Sequence, residues 1–156
     1  MTDTPDVIFT LRLADGTHVE ERDLAARTAE VAAVLGGQME PYGRLLIRGG
    51  GQATVMFADD LLPMADTLVA AVAALREGKD ATLAAFAIDW LLRLEYVTGG
   101  KLRAQDQNGA QREDAAAALT AALGAAAQRL VALLAGGQLR RADAAPVLAR
   151  LANALG

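Results

Sequence analysis

Apolar and polar residues alternate at the start of the chain. Val7, Phe9, Leu11 and Leu13 alternate with Ile8, Thr10 and Arg12, which is the period of a strand. Ala14-Asp15-Gly16 reads as a turn, and residues 17–21 return. A two-residue Asp-Gly turn would set Leu13 against His18 and Leu11 against Glu20, mixing the faces. A three-residue loop closed by Gly16 sets Leu13 against Thr17 and Leu11 against Val19, so that register is expected, with His18 facing outward opposite Arg12. In a second hairpin, residues 44–48 and 52–57 flank Gly49-Gly50-Gly51. In a third, Phe86, Ile88, Trp90, Leu92, Leu94 and Tyr96 share a face, with Asp89, Arg93 and Glu95 mainly on the other. Thr98-Gly99-Gly100 turns the chain. Tyr96 is then expected opposite Leu102, and Glu95 opposite Arg103 as an ion pair.

A helical stripe follows each hairpin. Leu24, Thr28, Val31 and Leu35 predict a helix over about 24–35, capped by Asp23 and stopped at Gly36-Gly37. Met64, Leu68, Ala71 and Leu75, widened by Val69 and Val72, predict one from about 60–63 to Glu77, with Gly78 past its end. Leu119, Leu123, Leu130 and Leu134 predict a third over about 112–135. A last helix, about 142–155, has Asp143 as its cap and Pro146 in its first turn. The order is ββα-ββα-ββα-α, which predicts an α+β fold, a two-layer sandwich of antiparallel hairpins with helices on one face. Residues 1–138 are expected to form a single domain, with 139–156 a C-terminal helix packed on it. The phrases Val-Leu-Gly-Gly-Gln and Leu-Leu-Ala-Gly-Gly-Gln echo at the ends of the first and third helices, too briefly to establish a repeat.

Composition narrows the chemistry. The 156 residues include no serine, no cysteine and one histidine, His18, so the usual nucleophiles and proton shuttle are scarce. Alanine, at 36 residues, supplies much of the apolar content while burying little area, so the core must come from the larger side chains. Zero cysteine removes disulfides and thiolate metal sites. Residues 1–60 carry ten acids and five bases, a balance of −5 within a net charge of −4. An acidic front half argues against nucleic acid, which needs a basic footprint, and suits a basic protein partner. An acidic, polar N-terminus is not a secretory signal, and the uncharged run 115–128 is too short for a bilayer. A cytoplasmic location without membrane contact is expected.

The remaining candidates have structural readings. His18 could act as a base if Glu20 oriented it, but no nucleophile accompanies it. Asp59-Asp60 could hold a cation, yet the pair precedes a helix, where aspartate caps backbone N–H groups. The triple glycine lacks the following helix that a phosphate loop needs, so it reads as a hairpin tip. Arg44 and Arg48, on one strand face beside it, could touch an anion or simply meet solvent. Trp90 and Tyr96 read as core. Ala117, Ala121, Gly124 and Ala125 make a small-residue surface for a homodimer seam or for the last helix. No catalytic residue, metal or cofactor is expected.

These readings predict a non-catalytic protein-binding module, such as a small bacterial toxin-neutralising (immunity-type) protein that binds a basic partner. Asp15, Glu20, Glu21, Glu40, Asp59 and Asp60 are the expected contact residues. An export-chaperone-like protein, or a small Asp/Tyr-based isomerase or hydratase with a residue such as Asp89 or Tyr96 pointing into a closed pocket, are the alternatives.

Overall fold

The computed structural model describes residues 4–136, 139 and 144–156. Two four-stranded antiparallel sheets and four helices form an α+β sandwich. The first sheet holds β1 (Asp6–Arg12), β2 (His18–Glu20), β3 (Tyr42–Arg48) and β4 (Val55–Asp60), in the order β2-β1-β3-β4. The second holds β5 (Ala81–Ala84), β6 (Leu91–Val97), β7 (Lys101–Asp106) and β8 (Gln111–Ala115), in sequential order. The halves therefore differ in topology, since only the first sheet swaps its two leading strands.

The first turn has the expected register. Leu11 faces Val19, Arg12 faces His18, and the Leu13 N–H donates to the Thr17 carbonyl at 2.8 Å. Inward residues Val7, Phe9, Leu11, Leu45, Ile47, Val55 and Phe57 make one face of the core. Leu83, Leu92, Leu94, Leu102 and Ala104 extend it from the second sheet. α1 (Thr28–Leu35), α2 (Leu61–Arg76), α3 (Ala116–Leu134) and α4 (Ala144–Leu155) add Val31, Leu68, Leu123, Leu130, Leu148 and Leu151. α4 packs on α2 and α3 within this same apolar cluster; its expected Asp143 cap lies outside the described residues. By length and composition α3 could cross a membrane, but here its buried face lies against β1, α2 and α4. Gly124 on α3 faces α2, and a Cβ there would sit 3.6 Å from Val72 Cγ1 and 3.1 Å from the Arg76 guanidinium. That guanidinium ends an exposed, flexible side chain and can yield. Gly124→Ala should then stabilise by about 0.5–1 kcal/mol through helix propensity, read as a higher urea midpoint; a lower midpoint would show that Arg76 cannot move.

Several elements differ from the sequence expectation. The first helix opens as a 3-10 segment, Glu21–Arg27, without a side-chain cap from Asp23, and becomes α-helical at Thr28. The third hairpin is a four-stranded meander. β8 went unseen because QREDA buries Arg112 and Asp114 where an apolar period would place valines. The third helix consequently starts at Ala116, not near Arg112. Tyr96 does face Leu102, and Glu95 faces Arg103. Arg103, however, pairs with Glu113 on β8 at 3.1 Å instead of with Glu95. Residues 85–90, expected to continue a strand, form the loop between β5 and β6.

Where the sheets meet, side chains complete the backbone bonding. The Met56 N–H on edge strand β4 donates to Asp106 Oδ2 at 3.0 Å, and Trp90 Nε1 donates to the Met56 carbonyl at 3.0 Å. Arg112 is closed over by both sheets. It donates to Asp114 through Nε at 2.8 Å and Nη2 at 2.9 Å, and through Nη1 to the carbonyls of Ala53 at 3.3 Å and Ile47 at 3.4 Å. All three triple-glycine residues have positive φ, the conformation glycine adopts without steric cost. That tip carries Gln52 onto β8, where its amide bonds both the N–H and the carbonyl of Glu113. The other open edge, on β1 beyond the end of β2, is closed by an ion pair. Glu21 accepts the Phe9 N–H at 3.4 Å, and Arg129 donates to the Val7 carbonyl at 2.8 Å while pairing with Glu21.

Candidate functional site

The six acids expected to face a partner are dispersed by the fold. Glu20 is bound by Arg48 through two hydrogen bonds of 2.9 and 3.0 Å and by Arg22 at 2.8 Å, and these partners hold its carboxyl below the usual value. Glu21 serves the β1 edge. Asp59 is fully buried and can touch no partner. Asp60 stands at the N-cap of α2 but makes no side-chain capping bond, so the helix-cap reading of the pair fails for both members. Asp15 lies at the first turn, where the Thr17 N–H donates to its carboxylate at 2.9 Å and lowers its pKa. Asp15 and Glu40 are brought together. Both line a groove of about 600 Å³ formed by the first turn, the C-terminal end of α1 and the segment leading to β3.

The other candidates are also placed. Trp90 and Tyr96 are half-buried against the core, and the Tyr96 hydroxyl donates to the Leu75 carbonyl at 2.6 Å. Asp89 is exposed on the 85–90 loop and the Tyr96 hydroxyl is bonded to the α2 backbone, so neither stands free in an enclosed pocket as the isomerase alternative would need. Ala117, Ala121 and Ala125 are exposed on α3, whereas Gly124 is spent on packing against α2, which removes it from a homodimer seam. Among the described residues, no group of three His, Asp or Glu side chains is placed to hold a metal ion.

Loop 85–90 is the feature that sequence reasoning missed. Asp59 accepts the N–H groups of Phe86 and Ala87, both at 2.9 Å, one on each carboxylate oxygen. The base of the loop is closed by the Ala85 N–H to the Trp90 carbonyl at 2.9 Å, and the Trp90 indole is anchored on β4. So braced, the loop holds Phe86 83% and Ile88 38% exposed. With Met39, 81% exposed at the groove, these are the exposed large apolar side chains among the described residues. Tyr42 of β3 lies opposite Asp60, and Gly43 opposite Asp59, so the groove and the loop occupy the same end of the first sheet. No sequence signal marked this, because Asp59 reaches partners 27 and 28 residues away. Compared with models of known families, with curated proteins and with solved structures, the chain finds no match.

Proposed function

We propose that this chain is a non-catalytic protein-binding module that docks through loop 85–90 and the adjoining end of the first sheet. The observation that carries the reading is the buried Asp59 carboxylate holding a loop whose Phe86 stands in solvent. A buried carboxylate is costly unless hydrogen-bonded, and here its bonds fix an exposed aromatic residue. Covering Phe86 in a partner's pocket would contribute about 1.5–3 kcal/mol. Little ordering entropy would offset it, because the loop is already braced. Aromatic anchors of this kind dominate interfaces. The specific form proposed is a cytoplasmic, toxin-neutralising bacterial protein with a basic partner. Net charge −4 favours that charge sign, although Glu20 and Glu21 are already neutralised within the chain.

The test places a photo-crosslinking benzoylphenylalanine at position 86, with position 95 on the second sheet as control. One stoichiometric protein adduct is expected at 86 and none at 95. Phe86→Ser should weaken capture of that protein at least tenfold while leaving the melting temperature within about 2 °C, as surface substitutions do. Equal labelling at both positions, or unchanged capture by Phe86→Ser, would reject the docking loop.

A further inference from the structure

The outer face of the first sheet carries two arginines without acids. Cross-strand pairs set Arg12 beside His18 and Thr10 beside Arg44 on adjacent strands β2, β1 and β3. Direct neighbours on one sheet face lie about 5 Å apart at Cβ and diagonal ones about 7–8 Å, within reach of arginine side chains. Arg48, further along the same face, is bound by Asp6 and Glu20. Among the described residues, neither Arg12 nor Arg44 forms an ion pair with a carboxylate within 4.0 Å, whereas Arg48 forms two. Clustering cations in this way is unfavourable unless an anion balances them.

The third group is a polarised neutral donor. Thr10, buried beneath the cluster, accepts the Arg44 backbone N–H at 3.1 Å. Its hydroxyl also lies 3.1 Å from His18 Nδ1. In the tautomer in which Nδ1 accepts that hydroxyl proton, the imidazole carries its own proton on Nε2. Burial, and then the charges of Arg44 and Arg12, push the His18 pKa down, so the ring stays neutral at pH 7. The Arg12 guanidinium lies 4.4 Å over the Tyr42 ring, a stacking that leaves the edge N–H donors of the fork available.

We propose that Arg12, His18 and Arg44 bind the phosphate group of a small phosphate monoester whose organic part lies in the adjoining groove. Two guanidinium charges match a dianion, and three donor groups match three terminal oxygens; a carboxylate offers one charge and two oxygens. The groove begins at Arg12 and Tyr42; its stretch along Leu13, Val34 and Met39 suits an apolar ester group, while Asp15 and Glu40, which also line it, disfavour a second anionic group there. Of the acids near this cluster, Glu20 on β2 and Asp6 on β1 are held by Arg48, Asp15 is tied to its own turn, Glu40 lines the groove with Arg12, and Asp60 on β4 lies opposite Tyr42, diagonal to Arg44, without an ion pair to it within 4.0 Å. The site is independent of the docking loop, and neither reading needs the other.

The test uses the full chain and follows His18, whose imidazole signals are unique because it is the only histidine. Inorganic phosphate, phenyl phosphate and benzoate are titrated at constant ionic strength. Saturable shifts of the His18 signals are expected with both phosphates, with phenyl phosphate at least tenfold tighter and also moving the Met39 methyl resonance. The bound anion should raise the His18 pKa, and Arg44→Gln, at an exposed side chain, should weaken phosphate binding at least tenfold with unchanged circular dichroism. Non-saturable shifts, or Arg44→Gln binding like the wild type, would overturn the site. Equal affinity for the two phosphates would overturn the role of the groove, and benzoate binding as tightly as phenyl phosphate would overturn the ligand class.

Discussion

Arg112→Ala is expected to remove about 3–5 kcal/mol of stability, a large share of what a domain of this size possesses. Both members of the Arg112–Asp114 pair are buried, with side-chain exposures of 0% and 1%. Truncating Arg112 leaves the Asp114 carboxylate without its counter-charge and strips the Ile47 and Ala53 carbonyls of a donor. The loss exceeds the value of the pair itself, since a buried ion pair roughly balances its own desolvation. The double replacement Arg112→Met with Asp114→Leu should accordingly lie much closer to the wild type than Arg112→Ala does. Urea denaturation of the three proteins checks this. A cost below about 1 kcal/mol for Arg112→Ala would mean that water reaches the site.

Gly43→Ala is the second large effect, at about 3 kcal/mol or more, read as a fall in the thermal midpoint. Gly43 lies opposite Leu11 at the end of the ladder between the two central strands of the first sheet. An added Cβ would collide with the Thr10 carbonyl oxygen and lie 2.9 Å from Leu61 Cδ2. The carbonyl belongs to the backbone of a paired strand and cannot swing aside, unlike the arginine tip above Gly124. Gly16→Ala serves as the comparison. A Cβ there meets nothing within 4 Å, so only the positive φ of 89° resists it; its cost should be near 1 kcal/mol. If the two variants melt together, the close approach of β1 and β3 at Gly43 is not the controlling factor.

The contrast between legible and hidden features has a physical basis. The first turn was legible because Leu11 and Leu13 share a face and only one loop length keeps them opposite apolar or neutral partners. α2 was legible because its stripe ends at Gly78, whose positive φ terminates it. β8 was hidden because its inward positions are an ion pair, so hydrophobic period carried no information there. Phe86 and Ile88 read as strand residues because they continue the alternation of β6, whereas a carboxylate from the other sheet and the Ala85–Trp90 closure hold them in a loop. The acids expected to form one partner surface were misjudged for a related reason. A charge count does not show that Glu20 and Glu21 find arginines 28 and 108 residues away. The Arg12–His18 pairing followed from the turn register, but the Thr10 bond that orients the ring depends on the central strand's depth in the sheet.

The way β4 is finished has a consequence during synthesis. Near the start of its free edge, the Met56 N–H and carbonyl bond to Asp106 and Trp90 of the second half. At translation rates of about 5–20 residues per second, the roughly 50 residues between Met56 and Asp106 take about 3–10 s to appear. For those seconds a nascent first sheet carries an uncovered strand edge, the kind of surface that recruits chaperones or a neighbouring copy on the same messenger. Slowing synonymous codons between residues 60 and 106 should therefore lower the soluble yield, which side-by-side expression of the two coding sequences reads.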